Sequence, residues 1–553
     1  MVIMIPASVD VKEMVATLNL SPTRSESIKN KIYYLLSRIM LTNENYALNE
    51  ENEGYRRISS VMMKKIMGRK DYYLIRQLLT NPLAPVIESN KSWHNSKQGG
   101  DGYCQGYRLC PPHNTGEVIW RTIPEKFQRR IEKHQKNDPE ANFNDSKYRF
   151  LYHQFDNKGL SFDPAVNDYI YSFGKQLLTR AENNEFQSNM VLNLIGRWRY
   201  YVEKIENGDV WHQVSYFNWR LNSSLTQLNR VLRPFLLFKG QPLGEIDITA
   251  SQPYILSAVM KDEFLTGHEG SFNLQSISPD VFQKLIKTGY ISSISRDGIY
   301  SFEYTSYSGS TMHTEFNPEI SSSIGRSKET YSFMWGSFFS DMDLASIRNY
   351  QAAPFETDFY KYLVGKVNSR SGQKTMDETV LRERIKNNMR YVLFDDEPKH
   401  RKNGTYFKMF REQYPGVDKL IYDLLKEVGK TNFSYLLQRA ESYIVLDVIS
   451  RDFHESYPEA PVFTIHDAIC TYPEYLQPLV GIANKHFMNI IGSPVGLKVK
   501  PWQPEPLPKL EDIEEEWLKL KPICSLKKYQ DKAHSVFSSN IERGKKFIST
   551  SVH

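Results

Sequence analysis

Apolar and polar positions change period several times along this chain, and each change marks an element. Leu243 and Ile246 belong to a short apolar run that reads as a buried strand with Asp247 at its end. The pattern then turns helical. Ile255, Leu256, Val259 and Met260 recur at helix spacing, Ser251 can cap that helix, and Pro253 suits its first turn. Residues 462–471 are β-rich on both arms and predict a hairpin with His466-Asp467 at or near its tip. Between these stretches, Leu381, Ile385, Met389 and Val392 form the apolar stripe of a helix over 381–394. Arg382, Lys386 and Arg390 make a cationic stripe beside it at i, i+4 and i+8. A further helix precedes the hairpin: Phe433, Leu436, Leu437, Ala440, Ile444 and Val448 give its core face, with Gln438 and Glu441 off that face. Helices are also expected over 355–363, 475–489 and 511–521.

The first 110 residues read as a separate small module. Two short amphipathic helices, 61–66 and 72–79, flank Gly68; two strand-like stretches follow, at Val86-Ile87 and 106–109, around a polar glycine-rich loop. This is the outline of a winged helix whose wing carries Lys91, His94 and Lys97, or equally of a helical subdomain supporting the main body. Residues 111–215 form a helical connecting region. It includes a basic patch of Lys126, Arg129, Arg130, Lys133, His134 and Lys136 that reads as a solvated face. Residues 216–500 form the main body, interrupted by a Ser-, Tyr- and Phe-rich insertion over 262–350, with a turn at 308–310. Residues 501–553 make a helical tail.

Composition changes this picture little. A chain of 553 residues holds several domains or one multi-lobed body. A formal charge of +6 is compatible with nucleic acid but no proof of it. The four cysteines (Cys104, Cys110, Cys470, Cys524) have no zinc spacing and fit a reducing, cytoplasmic compartment, the host's if the chain is phage-encoded. No apolar run approaches a membrane span.

The candidate chemistry lies in the strand ends. A lone Asp247 would read as a turn cap. With Asp467 on a hairpin, the chain has two strand-end carboxylates of the kind that hold a pair of Mg²⁺ ions, roughly 4 Å apart, for phosphoryl transfer. The cationic helix suits a nucleoside triphosphate, although an exposed basic face has the same pattern. Asp395-Asp396 is a rival metal site.

These stretches resemble three motifs shared by the family A DNA polymerases and the single-subunit RNA polymerases. Asp247 with Ser251-Gln252 resembles motif A, with altered spacing in the DNA branch; Ser257-Ala258 falls in step with the RNA branch. Arg382, Lys386 and Phe394 keep the spacing of motif B, although Phe394 stands where Tyr is usual and Asp395 where Gly is usual. Ile465-His466-Asp467 matches the core of motif C. Ala468 departs from the DNA branch's Glu there, and Thr471 leans to the RNA branch.

The resemblance covers residues 190–500. It implies an α+β right-hand polymerase with an antiparallel palm sheet and helical fingers, to which the winged-helix-like module is added. It further implies that Asp247, the Ile248 carbonyl and Asp467 bind two Mg²⁺, with Mn²⁺ as a substitute. Arg382, Lys386, Phe394 and Gln252 would contact the nucleotide, and Arg220, Arg233, Gln438 and His466 the primer–template. The expected reaction is nucleotidyl transfer to a primer 3′-hydroxyl. The partners are a DNA primer–template and nucleoside triphosphates, in a replicative, mobile-element or phage-like setting. Gln252 stands where the DNA branch carries a sugar-excluding Glu, and Phe394 lacks the hydroxyl the RNA branch uses, so deoxynucleotides are favoured. The alternatives are a single-subunit RNA polymerase and a non-catalytic DNA-binding replication protein with a degenerate polymerase body.

Overall fold

A computed structural model describes residues 2–41, 55–90, 104–110, 113, 118–136, 146–156, 158–181, 185–266, 272–294, 304–305, 311–312, 330–334, 338–371 and 377–524. It is a mixed α+β structure whose chain divides into two compact units. One comprises the described parts of Met1–Gln213, Ser223–Leu243 and Pro501–His553; the other comprises Val214–Asn222 and the described parts of Gly244–Lys500.

The first unit has a core built where helices meet short antiparallel strands. Val2–Pro6 pairs with Val118–Thr122, and the helix Pro22–Leu41 contributes Ile28, Ile32 and Leu36 to a cluster that also takes Ile5, Ile66, Ile75 and Ile87 out of solvent. Helices Ser60–Met67 and Arg69–Leu79 meet at Gly68, whose φ of +90° is open to glycine but strained for other residues. Strands Ile87–Ser89 and Gly106–Leu109 then pair antiparallel, with Arg56–Arg57 on the far side of the latter. Lys91, His94 and Lys97 lie outside the described residues. The basic patch falls on the helix Glu125–Lys136, where Arg129 is exposed and pairs with Glu125 at 2.5 Å. Leu510–Cys524 forms the C-terminal helix, held within this unit by Arg180–Glu514 and Arg230–Asp512 pairs.

The second unit is arranged around a four-stranded sheet. Strand β1 (Gly244–Ile248) is followed by helix α1 (Ser251–Val259); α2 (Phe359–Ser371), α3 (Glu378–Phe394), α4 (Pro415–Val428) and α5 (Lys430–Ser442) come next. The hairpin strands β2 (Phe463–Ile465) and β3 (Ala468–Thr471), helix α6 (Leu476–Ile491) and strand β4 (Leu497–Pro501) complete it. The sheet order is β2-β3-β1-β4. β1 and β3 run antiparallel, with Gly244 opposite Thr471 and Asp247 opposite Ala468.

α1 is buried from Pro253 to Val259, and its residues there are mostly apolar, with the buried Ser257 hydroxyl donating to the Tyr254 carbonyl at 2.6 Å. Within 262–350, the helix Asp341–Gln351 packs on α4 so closely that a Cβ on Gly416 would stand 2.1 Å from the Asp343 carbonyl oxygen. Gly416 N–H also donates to Ser346 Oγ at 3.1 Å. The turn at 308–310 lies outside the described residues.

Two local expectations need correction. Ser251 does not cap α1: Ala250 occupies the cap position at φ +53°, and the Ser251 hydroxyl goes elsewhere. The core face predicted through Val448 also breaks. α5 continues into a π-helical turn, Tyr443–Ile449, which slips the face so that Val445, Leu446 and Ile449 are buried, and it follows a Glu441 that is itself buried.

Candidate active site

Strand register sets the centre of the site. Asp247 lies near the end of β1 opposite Ala468, and Asp467 immediately precedes Ala468 in the two-residue turn that joins β2 to β3. That turn requires φ +59° at His466, a conformation uncommon outside glycine that costs on the order of 1 kcal/mol. Thr249, just past β1, donates its amide to the Gly496 carbonyl at 2.9 Å, and a Cβ on Gly496 would stand 2.5 Å from Thr249 Oγ1. Glycine there lets the approach to β4, and hence Lys498, lie against the strand end.

A cleft of about 290 Å³ opens over this edge. Asp247, Ile248, Gln252 and Asp467 line one wall, and Arg382, Lys386, Arg390 and Phe394 of α3 line another. The cationic stripe read from the sequence therefore faces the two carboxylates. α3 is pinned by Ile385, Met389, Val392 and Leu393, all buried, and its N-terminus is capped by the Asp377 side chain. Arg382 is already engaged, pairing with Asp358 at 2.6 Å and with Glu383. Burial works against the charge on Asp358, but Arg382 and the amides of Lys361 and Tyr360 outweigh it and hold the carboxyl below its ordinary range. Lys386 is exposed on the cleft wall. Tyr360 also lines the cleft. Burial pushes its hydroxyl up to about 12, with Arg382 pulling the other way and Asp358 and Asp467 adding to the rise.

The electrostatics of the two walls differ in kind. Burial pushes the Asp467 carboxyl up to about 8, and the neighbouring charges of Glu441 and Asp247 reinforce it against the pull of a backbone hydrogen bond and, more weakly, of Arg220. Three carboxylates, Asp247, Glu441 and Asp467, thus influence one another near the sheet's edge, offset in part by a backbone hydrogen bond and Arg220. Glu441 is the one the sequence reading placed off the core face without a role. It is 1% exposed, and its two oxygens are divided: Oε1 accepts from Arg220, with Nε at 3.0 Å, whereas Oε2 accepts from Ser251 Oγ at 2.6 Å and Gln252 Nε2 at 2.5 Å.

The remaining expected residues fall as follows. The loop 214–222 docks on α5: Asn218 Nδ2 donates to Gln438 Oε1 at 2.9 Å, Arg439 Nε donates to the Phe217 carbonyl at 2.6 Å, and Ser442 Oγ donates to the Asn218 carbonyl at 3.2 Å. Arg220 and Gln438 are thus on neighbouring pieces of one surface. His466 is exposed at its turn. Arg233 opens a 3₁₀ turn, Arg233–Phe235, in the other compact unit. Asp395 is committed to a turn, accepting from Glu397 N–H at 3.0 Å and pairing with His400 Nδ1 at 3.0 Å. Ser251, Tyr360, Glu441 and Lys498 belong to this region without having been singled out as site residues. Of these, Ser251 carried a local signal inside the motif A resemblance, and Glu441 a weaker one as the acidic residue that follows Gln438.

Among the described residues no three His, Cys, Asp or Glu side chains converge to enclose a metal ion. A Mg²⁺ site for phosphoryl transfer needs no such cage, since the ion keeps waters and binds one or two carboxylates plus substrate phosphates. The donor set at the strand ends fits that chemistry: hard oxygens only, with an excess of negative charge.

No protein-family model matches the chain, and no curated protein matches it either. Among solved structures, the chain is similar to the POL domain of Pol1 from M. smegmatis in complex with DNA primer-template and dNTP. That match has 9% identity and a TM-score of 0.37, and covers 69% of this chain and 73% of that one. Function has to be argued from the cleft. Among the described residues no helix is long and apolar enough to cross a membrane.

Proposed function

We propose that the chain is a template-dependent nucleic-acid polymerase that adds deoxynucleotides to a primer 3′-hydroxyl. The observation that carries this reading is the single cleft in which Asp247 and Asp467 face Arg382, Lys386 and Arg390. Anionic groups that gather cations, opposite cations that gather phosphate, are the two halves of a phosphoryl-transfer site.

In this reading Asp247, Asp467 and the Ile248 carbonyl hold two Mg²⁺ ions, which Mn²⁺ can replace. When bound, such ions stabilise the charge on the attacking and leaving oxygens. The primer O3′ forms a bond to the α-phosphorus as the bond from that phosphorus to the pyrophosphate oxygen breaks, and the hydroxyl proton leaves to solvent. Lys386 and Arg390 neutralise the triphosphate, and Arg382 joins them while keeping its pair with Asp358. Phe394, whose ring centroid lies 6.1 Å from that of Phe433, offers a face to the nascent base pair. His466 supports the primer end, and Arg220, Gln438 and Arg233 serve the primer–template. The helices and paired strands of 60–109 act as a winged-helix-like DNA contact in the same reading.

Sugar choice turns on Gln252. Its side chain lies on the cleft wall, where it takes up space a ribose 2′-hydroxyl would need, and Phe394 has no hydroxyl to recognise one. The test is primer extension on a defined template with Mg²⁺, supplied in turn with deoxy- and ribonucleotides. Extension with deoxynucleotides supports the proposal. Equal or better use of ribonucleotides moves the protein to RNA synthesis, and DNA binding without any incorporation leaves a non-catalytic binding protein.

A further inference from the structure

Glu441 does more than neutralise a guanidinium. A buried carboxylate is retained only with good partners, and this one has three donor residues arranged on two separate oxygens. Oε1 holds Arg220, which is outside the cleft lining; Oε2 holds Ser251 and Gln252, at the start of α1 on the cleft wall. A carboxylate accepts only, so the Gln252 amide must turn its nitrogen to Glu441. The other atom of that amide, Gln252 Oε1, is buried without a hydrogen-bond partner. Among the described residues Glu441 is therefore the polar tether of the Gln252 side chain.

The backbone points to the same place. In this unit the described non-glycine residues with positive φ are Trp219, Ala250 and His466, and each immediately precedes a member of the cluster: Arg220, Ser251 and Asp467. Strain of roughly 1–3 kcal/mol per residue persists only where surrounding contacts over-determine it. Glu441 supplies those contacts for two of the three residues. It also sits one residue before the last residue of α5, where the helix passes into its π-helical turn.

We propose that Glu441 is a positioning residue that couples the primer-side grip of Arg220 to the sugar-side placement of Gln252. The inference rests on the polymerase reading for the identity of the two ligands but not for the coupling itself. Loosening Arg220 lets the carboxylate shift, and the Gln252 amide shifts with it. Selection of the nucleotide sugar then depends on a residue that does not line the nucleotide cleft.

The experiment measures two quantities in wild type, Arg220→Ala, Gln252→Ala, the Arg220→Ala/Gln252→Ala double variant and Glu441→Gln. One is primer–template affinity by fluorescence anisotropy across a salt series. The other is the ratio of kcat/KM for deoxy- over ribonucleotide. Arg220→Ala is expected to lower the sugar ratio by roughly threefold as well as weakening DNA binding, and the double variant to fall short of the product of the single effects by roughly the same factor. Glu441→Gln should lower both quantities together. A sugar ratio in Arg220→Ala equal to wild type, with single effects that multiply in the double variant, overturns the proposal. The Arg220–Gln252 cycle does not need Glu441→Gln, so it decides even if that buried substitution prevents folding. If wild type incorporates no nucleotide, the polymerase reading falls. The coupling is then read from the ratio of dissociation constants for deoxy- and ribonucleoside triphosphates, where the same cycle upholds or overturns it.

Discussion

Asp71, in the first compact unit, and Asp467, in the second, are carboxylates whose surroundings act on their charge in opposite ways. Asp71 is 8% exposed at its side chain and lies between Arg24 and Lys31, with Lys31 at 2.5 Å and itself 7% exposed. Burial opposes its charge, yet the two cations win and hold its carboxyl below the ordinary range. Asp467 has the reverse surroundings, since burial and two further carboxylates raise it well above that range, and a backbone hydrogen bond and Arg220 offset them only in part. A balanced cluster of this kind ties helices together. An unbalanced one costs stability and persists where a ligand completes it. The contrast separates a scaffold cluster from the candidate site without reference to any relative.

The sharpest way to break that contrast is to neutralise the unbalanced side. If the proposed reading holds, Asp467→Asn or Asp247→Asn should reduce nucleotide incorporation by roughly a thousandfold or more, about 4 kcal/mol, because each removes a charge from a proposed metal ligand and little volume. Thermal unfolding without added metal should show the variants at least as stable as wild type, as repulsion has been relieved. Near-wild-type incorporation by either variant would show that the excess charge has no part in the chemistry.

Neutralising the balanced side should do the opposite. Asp71→Asn leaves Lys31 buried without its counter-charge and is expected to destabilise the protein by about 3 kcal/mol, read as a lower urea midpoint. Turnover per folded molecule should be unchanged at temperatures where the variant is folded. A loss of turnover without loss of stability would mean that the two clusters had been misread.

Much of this was legible along the chain, because the elements that carry it are local. The apolar run before Asp247 and the β-rich arms around His466-Asp467 became the paired strands β1, β2 and β3. The stripe of Ile385, Met389 and Val392 became the buried face of α3, which fixed the direction of Lys386. What stayed hidden depends on distant partners. Nothing near Glu441 announces that a residue 221 positions earlier and another 190 positions earlier will meet its two oxygens. The π-helical turn after it broke the period from which the core face was extrapolated, and Ala250 took the cap position that composition assigns to Ser251. Arg382 looked like a free cation because its partner, Asp358, lies 24 residues away on a segment joined to α2. Likewise, nothing before Ser223 or after Lys500 marks 223–243 and the C-terminal helix as parts of the first unit.

A gentler probe is the wall facing the carboxylates. Lys386→Ala removes an exposed charge that makes no ion pair among the described residues, so stability should hold while KM for the nucleotide rises by roughly tenfold, about 1.4 kcal/mol. Primer–template affinity should barely move. Arg220→Ala should weaken primer–template binding more than Lys386→Ala does, and flatten its salt dependence. If Lys386→Ala and Arg220→Ala weaken nucleotide and DNA binding equally, the two roles have been misassigned.

The smallest effect is the most direct measure of the contrast, because the two aspartates should respond to pH with opposite sign. An unfolded Asp titrates near about 3.9. Asp71 titrates below that value in the folded chain, so the stability it contributes is present above about pH 4 and is lost as pH falls through its folded value. The stability gap between wild type and Asp71→Asn should therefore be constant around neutrality and close in acid. Asp467 titrates above the unfolded value, so its protonated form favours folding and its contribution is complete below about pH 4. That contribution is lost as pH rises towards 8, and there Asp467→Asn should gain on wild type by roughly 1 kcal/mol in the absence of divalent metal. Added Mg²⁺ should reverse the gain, since an ion that binds only the folded wild-type site stabilises it by mass action. Urea midpoints of the three proteins between pH 4 and 8.5, with and without a chelator, provide the measurement. If Asp467→Asn tracks wild type at every pH, the carboxylates at the strand ends are solvated independently, and the unbalanced cluster is no cluster at all.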